Sequence, residues 1–242
     1  LPVTILFTPD EEVGTPSTRS LIEAEAERNK YVLVPEPAHS DGGATIGRYA
    51  IARFNLHTVG RPSHAGARLG DGKSAIAHMA RKGLGIEAMS GPDCTFSIGV
   101  IHAGQWVNCV SSHCDAEALT MAKTQKDLDD GIARIMALQG DENGVEFHIT
   151  RGVTRPVWEP NQPGTMALFD IAKDICDELG FDLIGRSQGG GSDGNFTGYL
   201  GIPTLDSLGV RGEGLHTLTE HIEVSSLVER AKLMSALIMR LE

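Results

Sequence analysis

Apolar positions along this chain follow two periods, and the switches between them mark out the elements. Val3-Thr-Ile-Leu-Phe7 is a short β-branched and aromatic run that reads as a buried strand; Thr15-Pro16 offers a cap and a first helical position for a helix over about 16–29; Tyr31-Val-Leu-Val34 is a second apolar run. Further on, Leu168, Ile171, Ala172, Ile175, Cys176 and Leu179 recur at helical spacing behind a cap at Thr165, with Gly180 where a helix C-terminus favours it. Ser225 or Ser226 caps a last helix whose stripe runs through Leu227, Ala231, Met234, Ile238 and Leu241. Strands alternating with helices predict an α/β fold with a mainly parallel sheet, whose functional loops gather at the carboxyl ends of its strands.

The middle of the chain differs. Ala52, Phe54, Leu56 and Thr58 alternate with Arg53, Asn55, His57 and Val59, which predicts a strand over about 50–59 with a largely polar second face. A helix follows over about 74–89, then strands near 95–102 and 113–123. A helix near 127–138 then turns Leu128, Ile132, Ile135 and Met136 one way, and a strand follows in which Val145, Phe147 and Ile149 alternate with Glu146, His148 and Thr150. The order β-α-β-β-α-β is the split, ferredoxin-like pattern. The expected organisation is one α/β domain in two pieces, 1–47 and 156–242, interrupted by a ferredoxin-like α+β lid domain at 48–155. An open sheet of that kind leaves edge strands for a two-fold partner, so a homodimer through the lid is expected.

Composition narrows the partners. The 242 residues are 40% hydrophobic without a long apolar run, so the sequence predicts a soluble chain with no membrane span. The net charge of -11 is spread without a basic stripe, which argues against nucleic acid and anionic membranes and favours a small-molecule or peptide substrate. Cys94, Cys109, Cys114 and Cys176 form no C-x-x-C pair and are too sparse for a disulfide framework, so they read as reduced thiols of a cytoplasmic protein. Leu1 is no initiator methionine and a strand is expected at once, so the native chain is expected to begin earlier, with a missing N-terminal segment.

Three short motifs carry candidate chemistry. Asp10-Glu11-Glu12 follows the first expected strand, where consecutive loop residues aim in different directions, so that one carboxylate binds metal while its neighbour handles a proton. Glu36-Pro37 follows the second run at the equivalent place, and Gly212-Glu-Gly-Leu-His216-Thr217 brings an imidazole after a strand expected near 204–208. Singly these are a solvated acidic turn, a surface glutamate and a loop histidine. Jointly they fall at strand ends of one expected sheet, as random acidic turns seldom do.

At these residues the chain resembles the glutamate carboxypeptidase, acetylornithine deacetylase and succinyl-diaminopimelate desuccinylase family of co-catalytic zinc hydrolases. The resemblance rests on Thr8-Pro9-Asp10-Glu11-Glu12-Val13-Gly14, Glu36-Pro37 and Gly214-Leu-His216, and runs through essentially all 242 residues. Ser63-His64-Ala65-Gly66, Asn108 in Gln105-Trp-Val-Asn-Cys, Arg155-Pro156 and Gly189-Gly-Gly-Ser-Asp193 match further signatures in order. It implies Glu11 as general base and acid, and Glu12, Glu36 and His216 as ligands of two divalent ions, zinc first, with manganese or cobalt as alternatives. It also implies that His64 and Asn108, from a partner subunit's lid, stabilise the oxyanion, that Arg155 holds a substrate carboxylate, and that Gly190 and Gly191 admit substrate close to the backbone.

Two departures qualify the implied reaction. A zinc pair about 3.5 to 4 Å apart needs around four ligands per ion, partly shared, and Glu12, Glu36 and His216 do not suffice. The family's H-x-D strand and bridging aspartate are absent, so the chain is expected to be catalytically incomplete alone. In the strand near 113–123, where the family shows an acid and, two positions on, an arginine, this chain has Leu119-Thr120-Met121. The expected reaction is hydrolysis of an amide C–N bond, in a peptide with an acidic C-terminal residue or an N-acyl amino acid. The alternatives are a non-peptide C–N bond, aryl amine or carbamoyl, and a non-catalytic binding relative.

Overall fold

The computed structural model describes residues 2–241. In chain order the elements are α1 (Arg19–Glu27), β1 (Val32–Leu33), β2 (Ala44–Arg48), β3 (Ala50–Val59), β4 (Ser63–His64), a 3-10 turn (Leu69–Asp71), α2 (Ala75–Glu87), β5 (Cys94–Ala103), β6 (Cys109–Val110), β7 (His113–Ala122), α3 (Gln125–Met136), β8 (Gly140–Glu142), β9 (Val145–Arg155), α4 (Pro163–Leu179), β10 (Gly185–Gln188), α5 (Gly194–Tyr199), β11 (Thr204–Leu205), β12 (Gly212–Glu213), β13 (His221–Ile222) and α6 (Ser226–Arg240). They divide into two compact units: residues up to Tyr49 with those from Arg155 onward, and Ala50–Thr154.

In the Ala50–Thr154 unit, five strands form one sheet in the order β5-β7-β3-β9-β8. The β3/β7, β5/β7 and β8/β9 ladders are antiparallel. Phe54 and Leu56 of β3 and Phe147 and Ile149 of β9 are buried, as are Met79 and Ile86 of α2 and Leu128 and Ile135 of α3. The intervening positions of β3, β7 and β9 stay wet, as alternation requires when one sheet face is solvated. Local chemistry sets the helix starts: Ser74 Oγ accepts from Ala77 N at 3.1 Å, and Thr124 Oγ1 accepts from Asp127 N at 3.1 Å while donating to the Asp127 carboxylate at 2.7 Å.

The other unit is built on short ladders. β1 pairs β11 and β10 pairs β2, both parallel, and an antiparallel bridge between Thr45 and Asp206 joins the pairs. Leu168, Ala172 and Ile175 of α4 and Leu233 and Leu237 of α6 pack with Ala44, Ile46 and Leu205 into one core. Gly180 closes α4 in the left-handed region at φ 84°.

Several expectations need correction. The fold is mixed α/β, but parallel pairing is confined to the short ladders β1/β11 and β10/β2, and the largest sheet, in the Ala50–Thr154 unit, is antiparallel. Residues 3–7 form no strand; Val3, Ile5 and Phe7 are 54%, 73% and 89% exposed, and β1 takes β11 as its partner instead. Thr15 caps nothing: it is buried at φ 62°, and α1 begins after Thr18. Thr165 lies inside α4, whose first position is Pro163 and whose N-cap is Gln162. The α6 stripe is also displaced. Leu227 and Ile238 are exposed, and the buried line is Ser226, Arg230, Leu233 and Leu237, continued by Leu241. Arg230 turns that face inward because its guanidinium donates to the carbonyls of Ser207, Leu208, Gly209 and Gly42.

Candidate active site

The Asp10-Glu11-Glu12 segment is a tight turn. Gly14 N donates to Glu11 O and Thr15 N to Asp10 O, each at 2.8 Å, and Gly14 sits at φ 94°, a conformation open to glycine without strain. The turn gives each acid a different task. Asp10 reaches the start of α1, accepting from Ser17 N and Oγ at 2.7 Å and from the Thr18 hydroxyl. These bonds, Thr18's first, bring its pKa down to about 2. Glu11 turns inward and Glu12 outward, with side chains 22% and 81% exposed. Among the described residues no strand precedes this turn, so the expected placement at a strand end is not seen for it.

Glu11 lies in a charged, half-buried setting. Arg155 Nη2 donates to Glu11 Oε1 at 2.6 Å, to Glu11 O at 2.9 Å and to Thr15 Oγ1 at 3.1 Å. Asp193, which accepts from the Thr8 and Thr15 hydroxyls at 2.9 and 2.6 Å, stands 3.8 Å from the same nitrogen. Burial raises the Glu11 pKa above its ordinary value; Arg155 opposes the rise, and repulsion from Asp193 and Glu12 adds to it.

Glu36 follows β1 and is half-buried. Its pKa is pushed up to about 7 by burial first, then by repulsion from Asp206 and Glu11, with Arg48 opposing and Glu12 adding. His216 follows β12, which pairs with β13 in a small separate ladder, so Glu36 and His216 do not leave one sheet. They nevertheless meet the same acidic region: His216 Nδ1 lies 3.9 Å from Glu12 Oε2, and the His216 backbone is held at φ 62°, sparsely populated for a residue with a side chain. Among the described residues no three His, Cys, Asp or Glu side chains gather into a group that could hold a metal by itself. The donor set fits a divalent ion in part: a cation beside Glu12, His216 and Glu36 would offset the burial and the repulsion that raise the Glu36 pKa.

The glycine-rich loop is anchored from beneath. Gly190 takes φ 87°, and its carbonyl accepts from Arg48 Nη1 at 3.1 Å. Arg48 Nε donates to the fully buried Asp206 at 2.6 Å, and Ser192, next to Gly191, donates its hydroxyl to the same carboxylate oxygen. Arg48, Asp206 and the partnership of Asp193 with Thr15 went unassigned in the sequence. The available signal was an aspartate inside the apolar Thr204-Leu-Asp-Ser-Leu208 run, where an acid survives burial only with a cation or donors.

His64 and Asn108 belong to the Ala50–Thr154 unit, where the structure brings them together. His64 pairs with Cys109 in the β4/β6 ladder, and Ala65 N donates to Asn108 O at 2.9 Å. Gly66 N and Ala67 N both donate to His64 Nδ1 at 3.1 Å. An Nδ1 that accepts from backbone leaves the ring proton on Nε2, making that nitrogen a donor.

These features define a mixed α/β protein in which an antiparallel unit interrupts a chain bearing an acid-and-imidazole site. The chain belongs to Peptidase family M20/M25/M40, whose model matches residues 1–240. Carboxypeptidase G2 of a Pseudomonas species is 29% identical over 250 residues, covering 99% of this chain and 59% of the relative. A succinyl-diaminopimelate desuccinylase of Burkholderia lata is 26% identical over 238 residues, covering 92% and 61%. Among solved structures, aminopeptidase PepT from Bacillus cereus matches with a TM-score of 0.74 at 26% identity, covering 95% of this chain and 61% of that one. The chain thus spans 59% and 61% of the length of these two curated relatives. Among the described residues no helix is long and apolar enough to cross a membrane, and all four cysteines are free thiols.

Proposed function

We propose that the protein is a metal-dependent hydrolase of an amide C–N bond, cleaving peptides with an acidic C-terminal residue or N-acyl amino acids. It works in the cytoplasm as a homodimer joined through the Ala50–Thr154 unit, which acts as lid, while the other unit is catalytic. The observation that carries this reading is the 3.9 Å approach of His216 to Glu12, in an acidic region that also acts on Glu11 and Glu36. Membership of the family and its amide-cleaving relatives support it.

Glu12, Glu36 and His216 would contribute to the coordination of two divalent ions, zinc first. Bound there, such ions supply Lewis acidity that acidifies water and polarises the scissile carbonyl. Glu11 takes a proton from the attacking water on its carboxylate and returns it to the leaving amine, and burial strengthens it as a base. Arg155 holds that carboxylate in place at 2.6 Å. The Nε2 proton of His64 and the Asn108 amide, supplied by a partner subunit, donate to the oxyanion, and Gly190 and Gly191 let substrate approach the backbone.

One observation favours a second reading of the substrate. Arg155, the expected anchor for a substrate carboxylate, is 7% exposed and turned to Glu11 and Thr15, and Leu119-Thr120-Met121 carries no cation. Aryl-amine and carbamoyl C–N bonds, which need no such anchor, are the alternative class. The test is a substrate panel on the zinc-loaded protein expressed from its complete gene, with Glu11→Gln beside it. The expected loss in kcat is about 10²- to 10⁴-fold; a Glu11→Gln protein as active as wild type, or full activity after chelation, would refute the hydrolase.

A further inference from the structure

The helix-free sheet face of the Ala50–Thr154 unit is crowded with imidazoles that the proposed reaction leaves unused. His57 of β3 pairs directly with Asp115 of β7, and His102 of β5 pairs directly with the same Asp115. Directly opposed residues share a face, so one carboxylate is flanked on both sides by an imidazole. A β-bulge creates this arrangement. The β5/β7 register shifts between Ile98 and Val100. If the pairing of Ile98 with Ala118 continued unshifted, His102 would stand opposite Cys114, which points into the core. The extra residue re-aims the ring to the open face, as bulges do beside functional sites.

The surroundings favour a cation. Glu117 and His148 line a depression of about 260 Å³ over the same strands as His57, His102 and Asp115, and Glu146 bonds to His148 at 2.9 Å. His113 stacks on His57 with ring centres 5.9 Å apart. His57 Nδ1 is hydrogen-bonded to the Asp115 carboxylate, so the ring already reaches the acid that a cation would share.

We propose that His57 and His102, with Asp115 as their shared carboxylate partner, form a binding site for a borderline-soft divalent cation such as Zn²⁺. Neither the acidic site of the other unit nor the amide-hydrolase reading is needed for it. Strands spaced about 4.8 Å apart put the two flanking Cβ atoms roughly 10 Å apart. An imidazole plus a Zn–N bond of about 2.0–2.1 Å reaches past the middle of that span from each side, so one ion above Asp115 meets both rings. Among the described residues these donors do not stand within one coordination shell, and Asp115 is bonded to His57. The His57 and Asp115 side chains are 41% and 64% exposed, and His102 is exposed too, so turns between staggered rotamers bring the donors together without disturbing the core.

The test is calorimetric titration of the metal-free 242-residue chain with Zn²⁺, with NMR of the imidazole nitrogens alongside. Wild type and the Glu12→Gln/His216→Asn double variant should each bind one ion at this site, with His57 and His102 resonances shifting. His57→Gln and His102→Gln should each weaken that binding by more than the roughly 10- to 100-fold that an outer-shell partner is worth. Unfolding midpoints without metal, expected to shift little because His102 is exposed and His57 lies half-buried on the open face, exclude misfolding as the cause. Binding that survives both histidine variants, binding that disappears in the Glu12→Gln/His216→Asn variant, or no binding at micromolar ion overturns the proposal.

Discussion

Removing the carboxylate of Asp206 should damage the unit that holds the acidic site more than the loss of any surface charge. The side chain is fully buried and accepts from Arg48 Nε at 2.6 Å, from the Ser192 hydroxyl and from the Ser207 amide. Asp206→Ala leaves Arg48, itself 6% exposed, without its counter-ion, though its bond to the Gly190 carbonyl at 3.1 Å persists. Breaking a buried pair by deleting one partner costs about 3–5 kcal/mol, because the remaining charge is neither solvated nor paired. The stranded Ser192 and Ser207 donors add to that until water enters. At roughly 3–4 °C per kcal/mol for a cooperative unit of this size, the midpoint falls by about 10 °C or more in calorimetry. Amide exchange should accelerate along the Gly189–Asp193 loop and stay unchanged in the sheet of the Ala50–Thr154 unit. A double variant, Arg48→Met with Asp206→Ala, should recover part of the loss, since no charge is then stranded. A midpoint shift under about 3 °C for Asp206→Ala, or strict additivity in the double variant, would refute the reasoning.

Three more outcomes can be measured. Gly198→Ala places a Cβ 2.2 Å from Cγ of the fully buried Trp158, so it should destabilise by about 1–3 kcal/mol or more in urea unfolding; a neutral result would contradict the packing. Glu36, with a pKa of about 7 against an ordinary 4.5, binds more proton folded than unfolded, so its contribution to stability is fullest below the unfolded value and is lost as pH rises through 7. In the metal-free chain Glu36→Gln should therefore be stabilising at pH 8 and near neutral at pH 4, with solvent screening of the half-buried carboxyl reducing the effect; a difference that does not change between the two pH values would show that the carboxyl is solvated. For His64, nitrogen NMR at neutral pH should find the proton on Nε2, as two backbone donors on Nδ1 require, and an Nδ1-protonated ring would remove the proposed oxyanion donor.

The reach of the sequence is clearest where a local pattern meets a local cause. The alternation from Ala52 to Val59 and from Val145 to Thr150 made strands, because a sheet wet on one face imposes period two on its side chains. Gly180 ended its helix because the left-handed turn there needs no Cβ. The Asp10-Glu11-Glu12 turn was legible as chemistry because three adjacent acids cannot all face one way; Asp10 ties down α1 only 8 residues on, whereas the meeting of Glu11 with Arg155 required the chain 144 residues away.

Long-range competition decided the rest. In α6, two apolar stripes satisfied the same helical period, and the carbonyls awaiting Arg230 selected the one through Leu233 and Leu237. Strand direction, the partner of β1 and the exposure of Phe7 depend on which ladders close, and apolar content alone carries no record of that. The sequence by itself thus determined the residue types at the acidic site and the period of each long element. Only tertiary structure decided which acid turned inward, which imidazole came within 3.9 Å of Glu12, and which bulge turned His102 to the open face. The physical reason is that burial and pairing energies belong to contacts between distant segments, whereas periodicity and capping are written between neighbours.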